Sequence, residues 1–402
     1  PRYNYRKATK AVRGKPKEIE NPRGRRSAGR MTAVLPVILV STIVLSGCSV
    51  EDLPDFITGR TAENVPTPSA TAMASDELLQ TPAVTVSQLE GIVERISTVA
   101  AQADADRDPE LAKTRFTGAA LQLREANYAI RTVDNSIEPL AAIPEGPVEL
   151  TLPQQSDVWP RTVFTVIQKA PEPEATPAPT ATDAPPEEVP AEEAPAEPAV
   201  IPTALMLVQE SPREPYKVAY AVVLEANAVL PDLAAATVGA VRQDPANKML
   251  TLPPGELATA YADVMMLGPK SEYFELFDYE GDALLPGVGA EAKVARAEAL
   301  STTTLKYSTA EGVGQPIAMA SLNSGAIVTV SISEVENAKP KEAGAILSPE
   351  KATAALSGVT KTTKGVSATY AYQLLFYVPP AASSEKIVLL GFAEDLVAAK
   401  EL

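Results

Sequence analysis

The chain has 402 residues, of which 35 are Lys or Arg and 51 are Asp or Glu, giving a formal net charge of −16. It contains no histidine and one cysteine, which excludes Ser-His-Asp and Cys-His catalysis within these residues and zinc sites with the usual His and Cys ligands. An acidic chain of this kind is also unsuited to binding nucleic acid through a broad positive field.

The first 30 residues are basic, with eleven Lys or Arg and two Glu, and show no hydrophobic periodicity. We interpret residues 1–30 as the long n-region of an export signal, or as residues that precede the true start codon. A nucleic-acid-binding arm is the alternative, but cleavage of an export signal would remove such an arm. Without residues 1–47 the chain carries 24 basic and 49 acidic side chains, a formal charge of −25.

An uncharged, mainly apolar segment follows at residues 31–47. It has the length of a signal-peptide h-region and is shorter than the roughly 20 apolar residues of a membrane-spanning helix. It ends in Leu45-Ser46-Gly47-Cys48, the pattern of a bacterial lipobox, in which the cysteine receives a diacylglyceryl group. We predict that lipidated Cys48 anchors the protein at the outer face of the plasma membrane. The alternative is an ordinary thiol beside an uncleaved anchor helix.

Two low-complexity segments follow the lipobox. Residues 48–82 are rich in Thr, Ser, Pro and Ala, and we predict a disordered tether. Residues 170–203 hold ten Pro, seven Glu, one Asp and no Lys or Arg, so they are predicted to be disordered as well. The flanking segments, 162–167 and 204–208, have strand patterns. We therefore predict an insert between two strands of one sheet, with an interdomain linker as the alternative.

The first predicted folded region is residues 83–242. Apolar residues at spacings of three and four predict an amphipathic helix, with Ser87 as its N-cap. A second helical stretch, 111–130, is broken around Gly118, and strands follow. The apolar positions of the first helix are Leu89, Ile92, Val93, Ile96 and Val99.

The second predicted region, residues 248–402, repeats this order. A helix is predicted around residues 257–265, and several strands follow it. In one of them Val328, Val330 and Ile332 alternate with polar residues, which is typical of half-buried antiparallel sheet. The sequence therefore predicts an α+β fold of two domains, each with helices first and an antiparallel sheet afterwards, in the manner of a diverged duplication.

Four carboxylates are the main candidates for acid-base chemistry. Glu275, Asp278, Glu280 and Asp282 lie close together in the sequence, and paired carboxylates catalyse glycoside hydrolysis. The alternative is a solvated helix end closed by Gly281. We assign no catalytic residue.

A run of three aspartates is the main candidate for metal binding. Asp104, Asp106 and Asp108 resemble the start of a calcium loop, but Pro109 and Arg115 stand where an EF-hand needs Gly and Glu. We predict a solvated helix end, and we expect no metal and no cofactor.

Three segments, together with the lipobox, resemble an uncharacterised family of actinobacterial cell-envelope lipoproteins, in which some members carry a glycosyltransferase label. The segments are residues 115–124, 154–162 and 216–220. The resemblance implies no established activity, and the chain lacks the metal-binding acidic motif after a strand that a nucleotide-sugar enzyme would show. The motif positions to which it assigns no role are Arg115, Gly118, Trp159, Pro160 and Arg161.

The single tryptophan allows two interpretations. Trp159 is either a core anchor, or it lines a ligand groove with Arg161 beside it, since Trp and Arg are enriched at binding hot spots. We predict a lipid-anchored binding or scaffolding protein whose partner is an envelope protein or a cell-wall polymer, and not nucleic acid. The alternatives are an envelope enzyme that uses carboxylates for glycosyl transfer or hydrolysis, and a purely structural spacer.

Overall fold

The computed structural model describes residues 81–168 and 202–402. The predicted signal segment, Cys48, the tether and nearly all of the insert lie outside the described residues. The helices are α1 (Val86–Asp106), α2 (Pro109–Lys113), α3 (Gly118–Val133), α4 (Leu257–Leu267), α5 (Leu285–Val288), α6 (Ala290–Ala299) and α7 (Lys351–Ser357). No helix in the described part of the chain is long and apolar enough to cross a membrane.

The strands range from 2 to 15 residues in length. They are β1 (Val148–Pro153), β2 (Arg161–Ile167), β3 (Thr203–Gln209), β4 (Lys217–Leu224), β5 (Arg242–Gln243), β6 (Phe277–Asp278), β7 (Thr303–Glu311), β8 (Ile317–Ala320), β9 (Ala326–Pro340), β10 (Val366–Val378) and β11 (Ile387–Glu401). Helices and a large antiparallel sheet confirm the predicted α+β class.

The N-cap of the first helix lies two residues before the predicted one. Thr85, in extended conformation, accepts a hydrogen bond from the Gln88 N–H, and the Gln88 side chain accepts one from the Thr85 N–H. Ser87 was therefore the wrong N-cap, because the reciprocal Thr and Gln pair satisfies both free N–H groups. The predicted break in the second helical stretch is confirmed, because α2 ends at Lys113 and α3 begins at Gly118.

The strands form one sheet in the order β1-β2-β3-β4-β11-β10-β9-β8-β5, with β7 on β9 and β6 on β11. Among the named strands of the described residues, only β6 and β11 pair in parallel; isolated parallel bridges join Phe116 to Val218 and Gln154 to Ala240. The two ends of this order meet, because the Gln155 N–H donates to the Ala240 carbonyl at 2.9 Å and the Ala240 N–H donates to the Pro153 carbonyl at 2.9 Å. The sheet therefore closes on itself.

The strands on either side of the insert are neighbours. β2 and β3 pair along their whole length, from Arg161 opposite Gln209 to Ile167 opposite Thr203. The chain segment between them therefore connects two neighbouring strands of one sheet.

Both predicted folded regions contribute to the same sheet. β4 pairs with β11 through Leu224 opposite Gly391 and Val223 opposite Phe392. The described residues, 81–168 and 202–402, belong to one compact unit.

Buried residues lie on both sides of the closed sheet. The inside is filled by side chains from β1 to β4 and β8 to β11. On the outside, α1 to α3 cover β2, β3 and β4, and α4 covers β8 to β11. The first seven residues of β9 are consequently all buried. The predicted half-burial of this strand was wrong, because the inner face of a closed sheet is shielded from water.

Candidate binding groove

A groove of about 620 Å³ lies beside the start of α1. Its walls come from α1, from the connection between α2 and α3, and from the connection between β3 and β4. Two arginines, Arg95 and Arg115, are the charged side chains of its lining. We call it the basic groove; its lining residues are Ala83, Val84, Ser87, Gln88, Gly91, Ile92, Arg95, Arg115, Gln209, Pro215 and Tyr216.

The amino end of α1 forms one wall of the basic groove. This first turn contains no acidic residue, so its positive end is not neutralised by a side chain of its own. Two turns further on, Arg95 is exposed. A Cβ built on Gly91 would lie 3.5 Å from a terminal nitrogen of Arg95, so the guanidinium lies over this glycine on the helix surface.

Arg115 is held in place by its backbone. Its carbonyl accepts from the Val218 N–H at 2.8 Å, and the Thr117 N–H donates to the Val218 carbonyl at 2.9 Å. These bonds fix the connection between α2 and α3 against β4. Gly118 follows with a φ of +56°, a conformation that favours glycine. At this residue the chain turns away from its hydrogen bonds with β4 and begins α3. Gly118 therefore shapes the turn that presents Arg115.

The other motif residues adjoin the same groove. The Arg161 guanidinium stacks over the Trp159 ring, 4.2 Å from its centroid. The Trp159 indole N–H donates to the side-chain oxygen of Gln209 at 3.3 Å, and Gln209 lines the groove. Pro160 is exposed between them. Trp159 is half-buried and is absent from the buried core clusters of the described residues, so it lies at the groove margin and is not a core anchor.

Within the described residues, the arginine side chains of the groove have no anionic partner. Across residues 81–168 and 202–402, Arg95 and Arg115 make no side-chain hydrogen bond or ion pair, and the buried Nε of Arg115 has no acceptor. Burial lowers the pKa of Arg115, and the nearby charge of Arg95 lowers it further. Arginine keeps its charge in proteins, so two like charges face each other here.

A tyrosine completes the wall formed by β3 and β4. Burial raises the pKa of Tyr216, while the neighbouring Arg161 charge acts in the opposite direction. Tyr216 is 7% exposed, and its hydroxyl donates to the Ala83 carbonyl at 3.4 Å. It therefore stays neutral and ties the start of α1 to the groove.

The four candidate catalytic carboxylates do not form a site together. Asp282 is buried, accepts from the Tyr261 hydroxyl at 2.6 Å, and accepts from two backbone N–H groups. Glu275, Asp278 and Glu280 are exposed. Asp282 is thus bonded inside the fold, whereas the other three face solvent.

The three aspartates of the Asp104, Asp106 and Asp108 run each bind a different partner. Asp104 forms an ion pair with the buried Arg124, at 3.5 Å. Asp106 accepts from Gln102, and Asp108 caps α2 through two backbone N–H groups. The described ranges contain no group of three His, Cys, Asp or Glu residues arranged for a metal ion.

The sequence motifs identified only part of the groove. Arg115, Trp159 and Arg161 were singled out by the family resemblance, but Arg95 was not. Arg95 has the ordinary pattern of a residue on the solvent side of an amphipathic helix, and only its position opposite Arg115 distinguishes it.

Comparison with known proteins adds a family but no activity. A family model described as Domain of unknown function (DUF8094) matches residues 80–401. No curated protein and no solved structure matches the chain.

Proposed function

The chain belongs to the family described as Domain of unknown function (DUF8094), and we propose that it is a lipid-anchored extracytoplasmic protein that binds an anionic ligand in the basic groove. One observation carries this proposal. Arg95 and Arg115 line the same groove without an anionic partner among the described residues, although the chain as a whole carries a net charge of −16.

A binding role explains why the two charges face each other. Like charges placed close together repel, and partial burial adds a desolvation cost. The surplus of carboxylates elsewhere in the chain could have supplied partners, yet none is found at this groove in the described residues. An anion would neutralise both guanidinium groups, which are suited to bidentate hydrogen bonds with carboxylate or phosphate.

The proposed location is based on the sequence. The apolar segment 31–47, the lipobox ending in Cys48 and the resemblance to actinobacterial envelope lipoproteins support export and lipid anchoring. A tether of residues 48–82 would span roughly 30 Å, at about 5 to 6 Å times the square root of its length. The basic groove begins at Ala83, directly after it. The proposed partners are a cell-wall polymer or an envelope protein with anionic groups.

The binding proposal can be tested through tryptophan fluorescence. Trp159 is the single tryptophan of the chain, and its bond to Gln209 couples it to the groove. Titration with sulfate should change its emission. Charge-assisted hydrogen bonds contribute about 1.5 to 3 kcal/mol each, so Arg95→Gln and Arg115→Gln should each weaken binding by about 10- to 100-fold.

A matched charge change serves as the control. Lys306→Gln removes one positive charge from an exposed position on β7, outside the groove lining, and should leave sulfate binding within about twofold of the unsubstituted chain. Equal losses in all three variants would show a general charge effect and contradict a site at the groove.

The anchor needs its own measurement. Mass spectrometry of the protein isolated from membranes should find a diacylglyceryl group on Cys48, and Cys48→Ala should shift the protein from the membrane fraction to the soluble fraction. Recovery of an unmodified Cys48 would refute the lipid anchor without affecting the groove.

A further inference from the structure

We propose that the group bound between Arg95 and Arg115 is a phosphomonoester in its dianionic form. This inference rests on the proposed anion-binding function and specifies the ligand. It is drawn from the number of charges in the basic groove, from the donors in its walls, and from the absence of a titrating group in its lining.

The first argument is charge balance. Arg95 and Arg115 together present two positive charges, and the described residues that line the groove include no carboxylate. A carboxylate or a phosphodiester carries one negative charge and would leave one arginine uncompensated. A phosphomonoester carries about 1.5 to 2 negative charges at pH 7, which neutralises both guanidinium groups.

The second argument is the number of donors. Each guanidinium presents several N–H donors in a planar fork, and the buried Nε of Arg115 has no acceptor within the described part of the chain. Ser87 adds a hydroxyl, from the first turn of α1. A phosphomonoester has three terminal oxygens that can accept from all of these donors, whereas a carboxylate has two.

A helix start favours the same ligand. α1 is 21 residues long and has no acidic residue in its first turn. Because the Gln88 N–H already donates to the Thr85 side chain, this end attracts phosphate mainly through the helix dipole. Here that end lies beside two arginines in the same groove, so the helix adds to a charge that the side chains already provide.

The described side chains that line the groove should not change protonation state near neutral pH. Arginine and tyrosine titrate well above this range and carboxylates below it, and the chain has no histidine. Besides the two groove arginines, the charged residues on the surrounding elements are Glu90, Glu94, Asp104 and Asp106 on α1, Glu110 and Lys113 on α2, Arg161 on β2, and Glu210, Arg213, Glu214 and Lys217 around the turn between β3 and β4. Any change in affinity between pH 5 and pH 7.5 should therefore come from the ligand.

A comparison of glycerol 3-phosphate with sulfate tests this. The phosphomonoester loses its second charge near pH 6, so about a tenth of it is dianionic at pH 5. Its dissociation constant for the full chain, followed by Trp159 fluorescence, should rise about tenfold from pH 7.5 to pH 5. Sulfate keeps two charges throughout, and its constant should change by less than about twofold. Acetate should bind at least about tenfold more weakly than glycerol 3-phosphate at pH 7.5.

Two outcomes would overturn the inference. The first would leave the proposed anion-binding function intact, whereas the second would refute it as well. If acetate binds as tightly as glycerol 3-phosphate, or if glycerol 3-phosphate shows the flat pH profile of sulfate, the ligand is not a dianionic phosphate, but anion binding remains. If no anion changes the fluorescence, and calorimetry detects no heat of binding, the proposed function fails as well.

The source of the phosphate can be separated in the same series. Vesicles of phosphatidylcholine with and without phosphatidate present the group on a lipid surface, whereas glycerol 3-phosphate presents it in solution. Sedimentation with phosphatidate vesicles that Arg115→Gln abolishes would assign a lipid headgroup. Binding of glycerol 3-phosphate without sedimentation would assign a soluble or polymer-borne phosphate.

Discussion

The ammonium group of Lys293 lies 2.6 Å from a carboxylate oxygen of Glu334, and these side chains expose only 6% and 0% of their surface. Lys293 also donates to the carbonyls of Met265 and Val288. The Tyr372 hydroxyl donates to Glu334 at 3.4 Å. This ion pair joins α6 to β9. It places two opposite charges in the buried region between the outside of the sheet and the helices.

Removal of one partner should destabilise the fold strongly. Lys293→Met leaves the Glu334 charge buried without its counterion, which typically costs about 3 to 5 kcal/mol. The free energy of unfolding, measured by urea denaturation, should fall by that amount. The double variant Lys293→Met with Glu334→Leu should recover a large part of the loss, because it removes both charges. A double variant less stable than the single one would contradict this account.

Repulsion between the two arginines of the basic groove should lower the free energy of unfolding. The Arg95 charge acts against the charged form of Arg115, so Arg95→Gln should leave the urea midpoint unchanged or raise it while it weakens sulfate binding. Lys306→Gln should change neither quantity. A lower midpoint for Arg95→Gln would show that Arg95 supports the fold, and would argue against a residue retained for binding.

The junction between β4 and β11 should be intolerant of any side chain at Gly391. A Cβ at this position would lie 2.5 Å from the Val223 carbonyl oxygen and 2.9 Å from the Leu224 Cα. Gly391→Ala should therefore destabilise the protein by about 1 to 3 kcal/mol, as overpacking does.

A second glycine provides the matched control for Gly391. Gly287, in α5, has nothing within 4 Å of a built Cβ. Gly287→Ala should be neutral or stabilise by about 0.4 to 1 kcal/mol. Thermal denaturation of both variants checks the pair, and equal effects would refute the role of close strand approach at Gly391.

Asp282 should make stability depend on pH. Burial raises its pKa above the ordinary value, although bonds from Tyr261 and from two backbone N–H groups oppose this shift. The folded protein therefore binds this proton more tightly than the unfolded chain does. The resulting stabilisation is complete at low pH and is lost as pH rises through the folded-state pKa.

A neutral substitution isolates this contribution. Asp282→Asn cannot titrate, so the unsubstituted chain should gain stability relative to the variant when pH falls from 7 to 4. Urea denaturation at these two pH values measures the difference. A relative loss at pH 4 would reverse the sign and show that the hydrogen bonds outweigh burial.

Local sequence patterns were sufficient for much of the secondary structure. Helical spacing identified α1, the break before Gly118 and α4, because these signals depend on residues a few positions apart. The strand patterns on either side of residues 170–203 likewise predicted β2 and β3 as strands. Errors arose where a local rule had two solutions, as when Thr85 and not Ser87 capped α1.

Sequence analysis identified only some residues of the candidate site. Arg115, Trp159 and Arg161 stood out because they lie in recognisable short motifs. Arg95 did not, since an exposed arginine on an amphipathic helix is ordinary. The proposed role of Arg95 depends on Arg115, which is twenty positions away in the sequence and faces it across the groove.

The sequence alone determined the α+β class and the positions of α1 and α4, since these depend on periodicity within short segments. Tertiary structure alone decided that the sheet closes through Ala240, that both faces of the first seven residues of β9 are buried, and that two arginines share a groove without an anionic partner in the described chain. The physical reason is that closure and charge proximity are long-range contacts, and no local pattern of polar and apolar residues encodes which distant segments meet.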